Sequence, residues 1–137
     1  MFLKNLKSIS YERKISGITT LIAALILLTP LCGFLFQCGC DWPWLGLDIN
    51  CNFYKPHAAH KCPWCVSMST GILATGLAVI FGTLVTIMPL WAINGAIKQV
   101  SLRILLGLSV FFVVGVVAAI LAAIVQQYPL GIGQFLV

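Results

Sequence analysis

"ILLGLSVFFVVGVVAAILAAIV", residues 104–125, decides the fold. The run contains no Asp, Glu, Lys or Arg, and a helix needs about 20 apolar residues to cross a bilayer core. Barrel strands would alternate polar and apolar positions. Nothing here alternates. Ile15 to Phe36 and Val66 to Ile97 are equally free of charge. With no water in the bilayer to satisfy free backbone groups, each run is expected to be a helix.

Composition agrees with that reading. The 137 residues are 61% hydrophobic and 8% charged, against about 25% charged in a soluble domain, and the mean hydropathy is +1.06. The predicted class is an all-α integral membrane protein with three transmembrane helices and a disulfide-stapled extracytoplasmic loop between the first and second. The expected divisions are an amphipathic N-terminus (1–14), helix one (15–36), a Cys/Trp-rich loop (37–65), helix two (66–91), a connection (92–103), helix three (104–125) and an apolar tail (126–137). A cleaved signal sequence is the alternative for the first run, but no A-x-A site follows it.

Charge sets the expected orientation. Lys4, Lys7, Arg13 and Lys14 precede the first span, Lys98 and Arg103 lie between the second and third, and only Lys55 and Lys61 lie between the first and second. The positive-inside rule then places the N-terminus and the Lys98 to Arg103 connection in the cytoplasm, with the Cys-rich loop and C-terminus outside, across a bacterial inner membrane. Topology accounts for the net charge of +5, and nucleic acid is not an expected partner. Phe2, Leu3, Leu6 and Ile9 recur opposite Lys4 and Lys7, the pattern of a short helix on the inner membrane surface.

Inside the spans the signals are structural. Ala78, Gly82 and Thr86 stand four apart, as do Gly115, Ala119 and Ala123, and such small-residue stripes let helices approach closely in lipid. Pro30 and Pro89 fall near expected helix ends. The spans hold no His to ligate a haem and no charge to line an ion path.

Chemistry is concentrated between the first two spans. All six cysteines, Cys32, Cys38, Cys40, Cys51, Cys62 and Cys65, lie at or beyond the end of the first run and before the second. An even number confined to one exported segment is what disulfide pairing produces, and the connectivity stays open. Trp42, Trp44 and Trp64 belong to the residue type that gathers at membrane interfaces. His57, His60, Cys62 and Cys65 supply two imidazoles and two thiols within nine residues, a donor set suited to copper or zinc.

Cys62-Pro63-Trp64-Cys65 also has the form of a redox dithiol. At the head of the second helix, the helix dipole would favour a thiolate on Cys62. An external C-x-x-C after a first helix and loop resembles the membrane thiol oxidases of the bacterial disulfide-bond formation family, and the vitamin K epoxide reductase family is similar in logic. That resemblance implies a catalytic role for Cys62 and Cys65, shuttle roles for Cys38, Cys40 or Cys51, and quinone as electron acceptor. The chain departs from the pattern in having three spans where those families have a four-helix core. Val66, Ser67, Met68 and Ser69 also follow the motif where the bacterial family has a basic residue.

Two functions follow as expectations. In the first, the chain is a small accessory subunit of a larger respiratory or metal-dependent membrane complex, whose stapled loop docks a partner or shields a cofactor. In the second, Cys62 and Cys65 exchange electrons with an extracytoplasmic thiol or electron-transfer protein. External copper or zinc binding stands beside both.

Overall fold

The computed structural model describes residues 2–88 and 100–128. Four α-helices make up the order: α1 (Phe2–Phe36), α2 (Pro63–Val66), α3 (Met68–Ile87) and α4 (Val100–Gln126). Three stretches are long and apolar enough to cross a membrane, namely Arg13–Phe36, Ser69–Ile87 and Val100–Gln126. Within the most apolar window of each, only 28%, 33% and 28% of residues are buried, so most of each span is left facing outward, as lipid contact requires. Pro89, Lys98 and the tail beyond Tyr128 lie outside the described residues.

The amphipathic N-terminus and the first span are one helix, without a break at Lys14. α1 also runs through Pro30 and ends at Phe36. Three hydroxyls inside the spans are satisfied within their own helices, while Thr20 Oγ1 and Thr29 Oγ1 are buried without a hydrogen-bond partner among the described residues. Thr75, Thr83 and Ser109 each donate to the carbonyl four residues earlier, at 2.6, 2.8 and 2.8 Å.

Each of α1, α3 and α4 packs against the other two. The halves of the helices nearest Arg103 meet at Gly107 on α4. A Cβ there would collide with Thr86 Cγ2, lie 2.7 Å from the Gly82 carbonyl oxygen and 3.0 Å from Thr20 Cγ2. Thr20, Thr86, Gly82 and Gly107 are all buried. Above this point Ala78, Phe111, Gly115, Ala119 and Ala123 continue the buried seam. The two small-residue stripes thus lie inside the bundle, and Gly107 and Phe111 extend the α4 stripe inward. At the end of α3, Arg103 Nη1 donates to the Thr86 carbonyl at 3.1 Å, a cation placed on the negative end of a helix.

Candidate functional site

At the opposite end of the bundle the chain between α1 and α3 folds into a cysteine knot. Cys32 comes from the last turns of α1. Gln37 then takes a left-handed conformation (φ 48°), which stops the helix and turns the chain back. Cys38 is thereby brought over Cys32, its thiol 3.6 Å from Cys32 Sγ and donating to the Cys32 carbonyl at 3.7 Å. Gly39 (φ 92°) joins Cys38 to Cys40, and a Cβ on it would collide with the Asn50 carbonyl. Only glycine suits that bend.

The segment from Cys40 to Cys51 makes an exposed lobe. Trp42 and Trp44 stack with centroids 5.1 Å apart, and Trp44, Leu45, Leu47, Ile49 and Tyr54 present apolar surface to the outside. Trp64 behaves differently from these two tryptophans. It is buried, packed edge-on to Phe36 at 5.3 Å.

Cys62-Pro63-Trp64-Cys65 does not open the second span. It forms the single turn α2, and Ser67 interrupts the helix in an extended conformation. Ser67 Oγ accepts from the Thr70 backbone N–H at 3.4 Å and from the Thr70 hydroxyl at 2.8 Å, so α3 begins there. The expectation that the dipole of a spanning helix acts directly on Cys62 is therefore corrected: α3 starts beyond Cys65, and Cys62 caps one turn only.

One side chain ties these pieces together. Asn52 accepts from the Cys62 backbone N–H at 2.8 Å through Oδ1, and donates through Nδ2 to the His60 carbonyl at 3.1 Å and the Tyr128 hydroxyl at 2.9 Å. Its own N–H donates to the Cys38 carbonyl at 2.6 Å. Tyr128, just beyond α4, passes the bond on to the Phe36 carbonyl at 2.9 Å, and Gln126 donates to the Pro63 carbonyl at 3.2 Å. The ends of α1 and α4 are thus fastened to the loop and to α2. Neither Asn52 nor Tyr128 is marked by any motif.

The result is a cluster of all six sulfur atoms. Sγ separations are 3.6 Å for Cys32–Cys38, 3.4 Å for Cys32–Cys62, 3.4 Å for Cys38–Cys40 and 3.6 Å for Cys51–Cys65. Three sets lie within 4.8 Å of one another: Cys32/Cys38/Cys40, Cys38/Cys51/Cys62 and Cys40/Cys51/Cys65. All six are free thiols, held in contact without a bond between any two. Cys51 and Cys62 are 0% exposed and Cys38 2%, so water is largely kept out. His57 and His60 are exposed and belong to none of these sets. The sequence brought Cys62 and Cys65 together with those histidines; the fold brings them to Cys32, Cys38, Cys40 and Cys51.

The thiols are not equivalent. The neighbouring thiols, Cys32 first, hold both Cys38 and Cys65 well below the ordinary thiol range. Burial pushes Cys51 up to about 11. The knot therefore favours the thiolate at Cys65 over that at Cys51. Beside Cys65 a cleft of about 510 Å³, lined by Phe53, Trp64, Val66, Gly71, Ile72 and Thr75, opens to the outside. Trp64 Nε1, buried in the same region, has no hydrogen-bond partner among the described residues.

Such an arrangement can do two things chemically. Convergent thiolates bind soft metal ions, and close thiols can be oxidised to disulfides. No family model, curated protein or solved structure matches the chain.

Proposed function

We propose that this chain is a membrane-anchored carrier of a soft metal ion, Cu(I) before any other, held by cysteine thiolates at the outer end of the helical bundle. The observation behind it is the convergence of all six sulfurs into interlocking sets of three. Thiolate ligands select Cu(I) and zinc over harder ions. Structural zinc takes four ligands in a tetrahedron, whereas Cu(I) accepts two or three thiolates, and the sulfurs here gather in threes. Burial of the knot would also shelter Cu(I) from water and oxidants.

The basic residues before the first span and around Arg103 support a cytoplasmic N-terminus and an extracytoplasmic knot. The exposed Trp44 to Ile49 lobe would then rest on the outer lipid surface. In this setting the chain serves as a small subunit of a larger inner-membrane assembly, passing or storing the metal next to a partner.

The test is metal analysis of the full chain purified in mild detergent under reducing, anaerobic conditions after Cu(I) loading. Tight copper that is lost when all six cysteines become serine supports the proposal. A folded chain with six reactive thiols that fails to compete with a Cu(I) chelator rejects it.

A second reading has its own observation. The contacts Cys32–Cys62, Cys38–Cys40 and Cys51–Cys65 divide the six cysteines into three pairs with none left over. Oxidation along those pairs would staple the loop and give the docking subunit expected from the sequence. It would also split Cys62 from Cys65, unlike the C-x-x-C disulfide of the thiol oxidases it resembles. Peptide mapping without reduction distinguishes the two: a Cys62–Cys65 bond favours thiol oxidase chemistry, and the crossed pairs favour a staple.

A further inference from the structure

The three thiol sets carry more information than their membership. Any two of them share one cysteine and no more: Cys38 joins the first and second, Cys40 the first and third, and Cys51 the second and third. Triangles joined corner to corner in this way enclose a central triangle, here Cys38/Cys40/Cys51, whose edges also lie within 4.8 Å. Three outer corners remain, Cys32, Cys62 and Cys65. If the net lay flat, these corners would stand about two edges apart. Instead Cys32 Sγ and Cys62 Sγ are 3.4 Å apart, and Cys65 stands one helical turn from Cys62, its backbone N–H donating to the Cys62 carbonyl at 3.0 Å. The net is folded over on itself.

A net of this kind, once closed, is an octahedron of sulfur. The three observed sets are alternate faces, and bringing Cys65 onto the Cys32–Cys62 contact would close the fourth. Each cysteine then belongs to two of the four faces. With a metal–thiolate bond of about 2.3 Å, as for zinc, a metal lying in the plane of three sulfurs sets the sulfur–sulfur edge at about 4 Å. The observed edges, 3.4 to 3.6 Å for the contacts and up to 4.8 Å within the sets, bracket that length.

We infer that the knot is built for a cluster of four Cu(I) ions, one in each alternate face, with every cysteine bridging two of them. The inference rests on the metal-carrier reading and deepens it from a site to a stoichiometry. Four singly charged ions enter, all six cysteines end as thiolates, each releasing its proton where it still holds one, and the core carries a net charge of minus two. Copper enters and stays as Cu(I), so no electron acceptor is needed. Bridging by every sulfur makes filling cooperative, because each ion placed lowers the thiolate cost of the next.

The experiment is an anaerobic titration of the reduced full chain in detergent with Cu(I) in acetonitrile, against a competing chelator, read by native mass spectrometry and X-ray absorption. The expected result is that the four-copper species dominates even at substoichiometric copper, with three-sulfur coordination and a short copper–copper distance. Saturation at one or two ions without that distance overturns the four-metal cluster and leaves the metal-carrier reading standing. No binding by a chain whose thiols all react overturns both. Cys65→Ser removes two faces, so its capacity falls from four to two, whereas His57→Ala and His60→Ala stay at four. Circular dichroism on each variant separates lost capacity from lost folding, and a folded Cys65→Ser that still binds four ions sinks the face assignment.

Discussion

The two ends of this bundle are held by different physics. At the glycine end Gly107, Gly82, Thr20 and Thr86 meet mainly through shape, their backbones and methyl groups in direct apposition, with the Arg103 bond to the Thr86 carbonyl beside them. The cysteine end depends on directional contacts: sulfur to sulfur, and the Asn52 and Tyr128 side chains bonded to backbone groups of distant segments. Apposition of this kind does not respond to oxidation or to metals. Thiols in contact can respond to both, because the groups that pack there are the ones that react.

The largest effect is expected at the glycine end. Gly107→Leu places a side chain where a single Cβ already collides with Thr86, and overpacking of this kind costs about 3 kcal/mol or more. Thermal unfolding in detergent should show a large loss of stability, while copper capacity per folded chain stays unchanged. A fall in capacity without a fall in stability would mean that the two ends are coupled and the contrast is mistaken.

Asn52→Ala should produce the reverse pattern. It leaves the Cys62 N–H and the His60 carbonyl without their partner, at about 2 kcal/mol for the network. The more telling readout is weaker copper retention in chelator competition at nearly unchanged helix content. Tyr128→Phe deletes a hydroxyl that bridges Asn52 and Phe36 and should cost about 1 kcal/mol. If Asn52→Ala retains copper as the wild type does, the knot is held by its sulfurs alone.

The smallest effect is a difference in reactivity. Thiolate is the form that alkylates, so Cys65, depressed by its donors and half-buried beside the cleft, should react at neutral pH. Cys51 is raised by burial to about 11, and its rate should climb about tenfold per pH unit up to that value. Mass-spectrometric mapping after timed alkylation reads the order. Equal rates at pH 7 would erase the distinction between the two thiols.

Some of this architecture could be read directly from the residues. The three spans follow from unbroken apolar runs, and the Ala78/Gly82 and Gly115/Ala119/Ala123 stripes from their spacing. Helix limits were less legible: α1 continues from Phe2 through Lys14 as one helix, because a basic amphipathic stretch and an apolar one can share a helical backbone. The C-x-x-C motif looked like the head of a spanning helix. Ser67, a good cap two residues after Cys65, is the local signal that separates them.

What the sequence determined by itself was class and place: apolar runs must become helices in lipid, and six cysteines between the first two of them must gather at one end. Partnership was left to the tertiary structure. Cys32 meets Cys62 across 30 residues, Asn52 meets Tyr128 across 76, and Tyr128 meets Phe36 across 92. Periodicity and spacing report on neighbours along the chain. Contacts at such separations arise only when helix packing brings the three helix ends beside the cysteines together, and that packing set the thiols in interlocking triangles and left the histidines outside them.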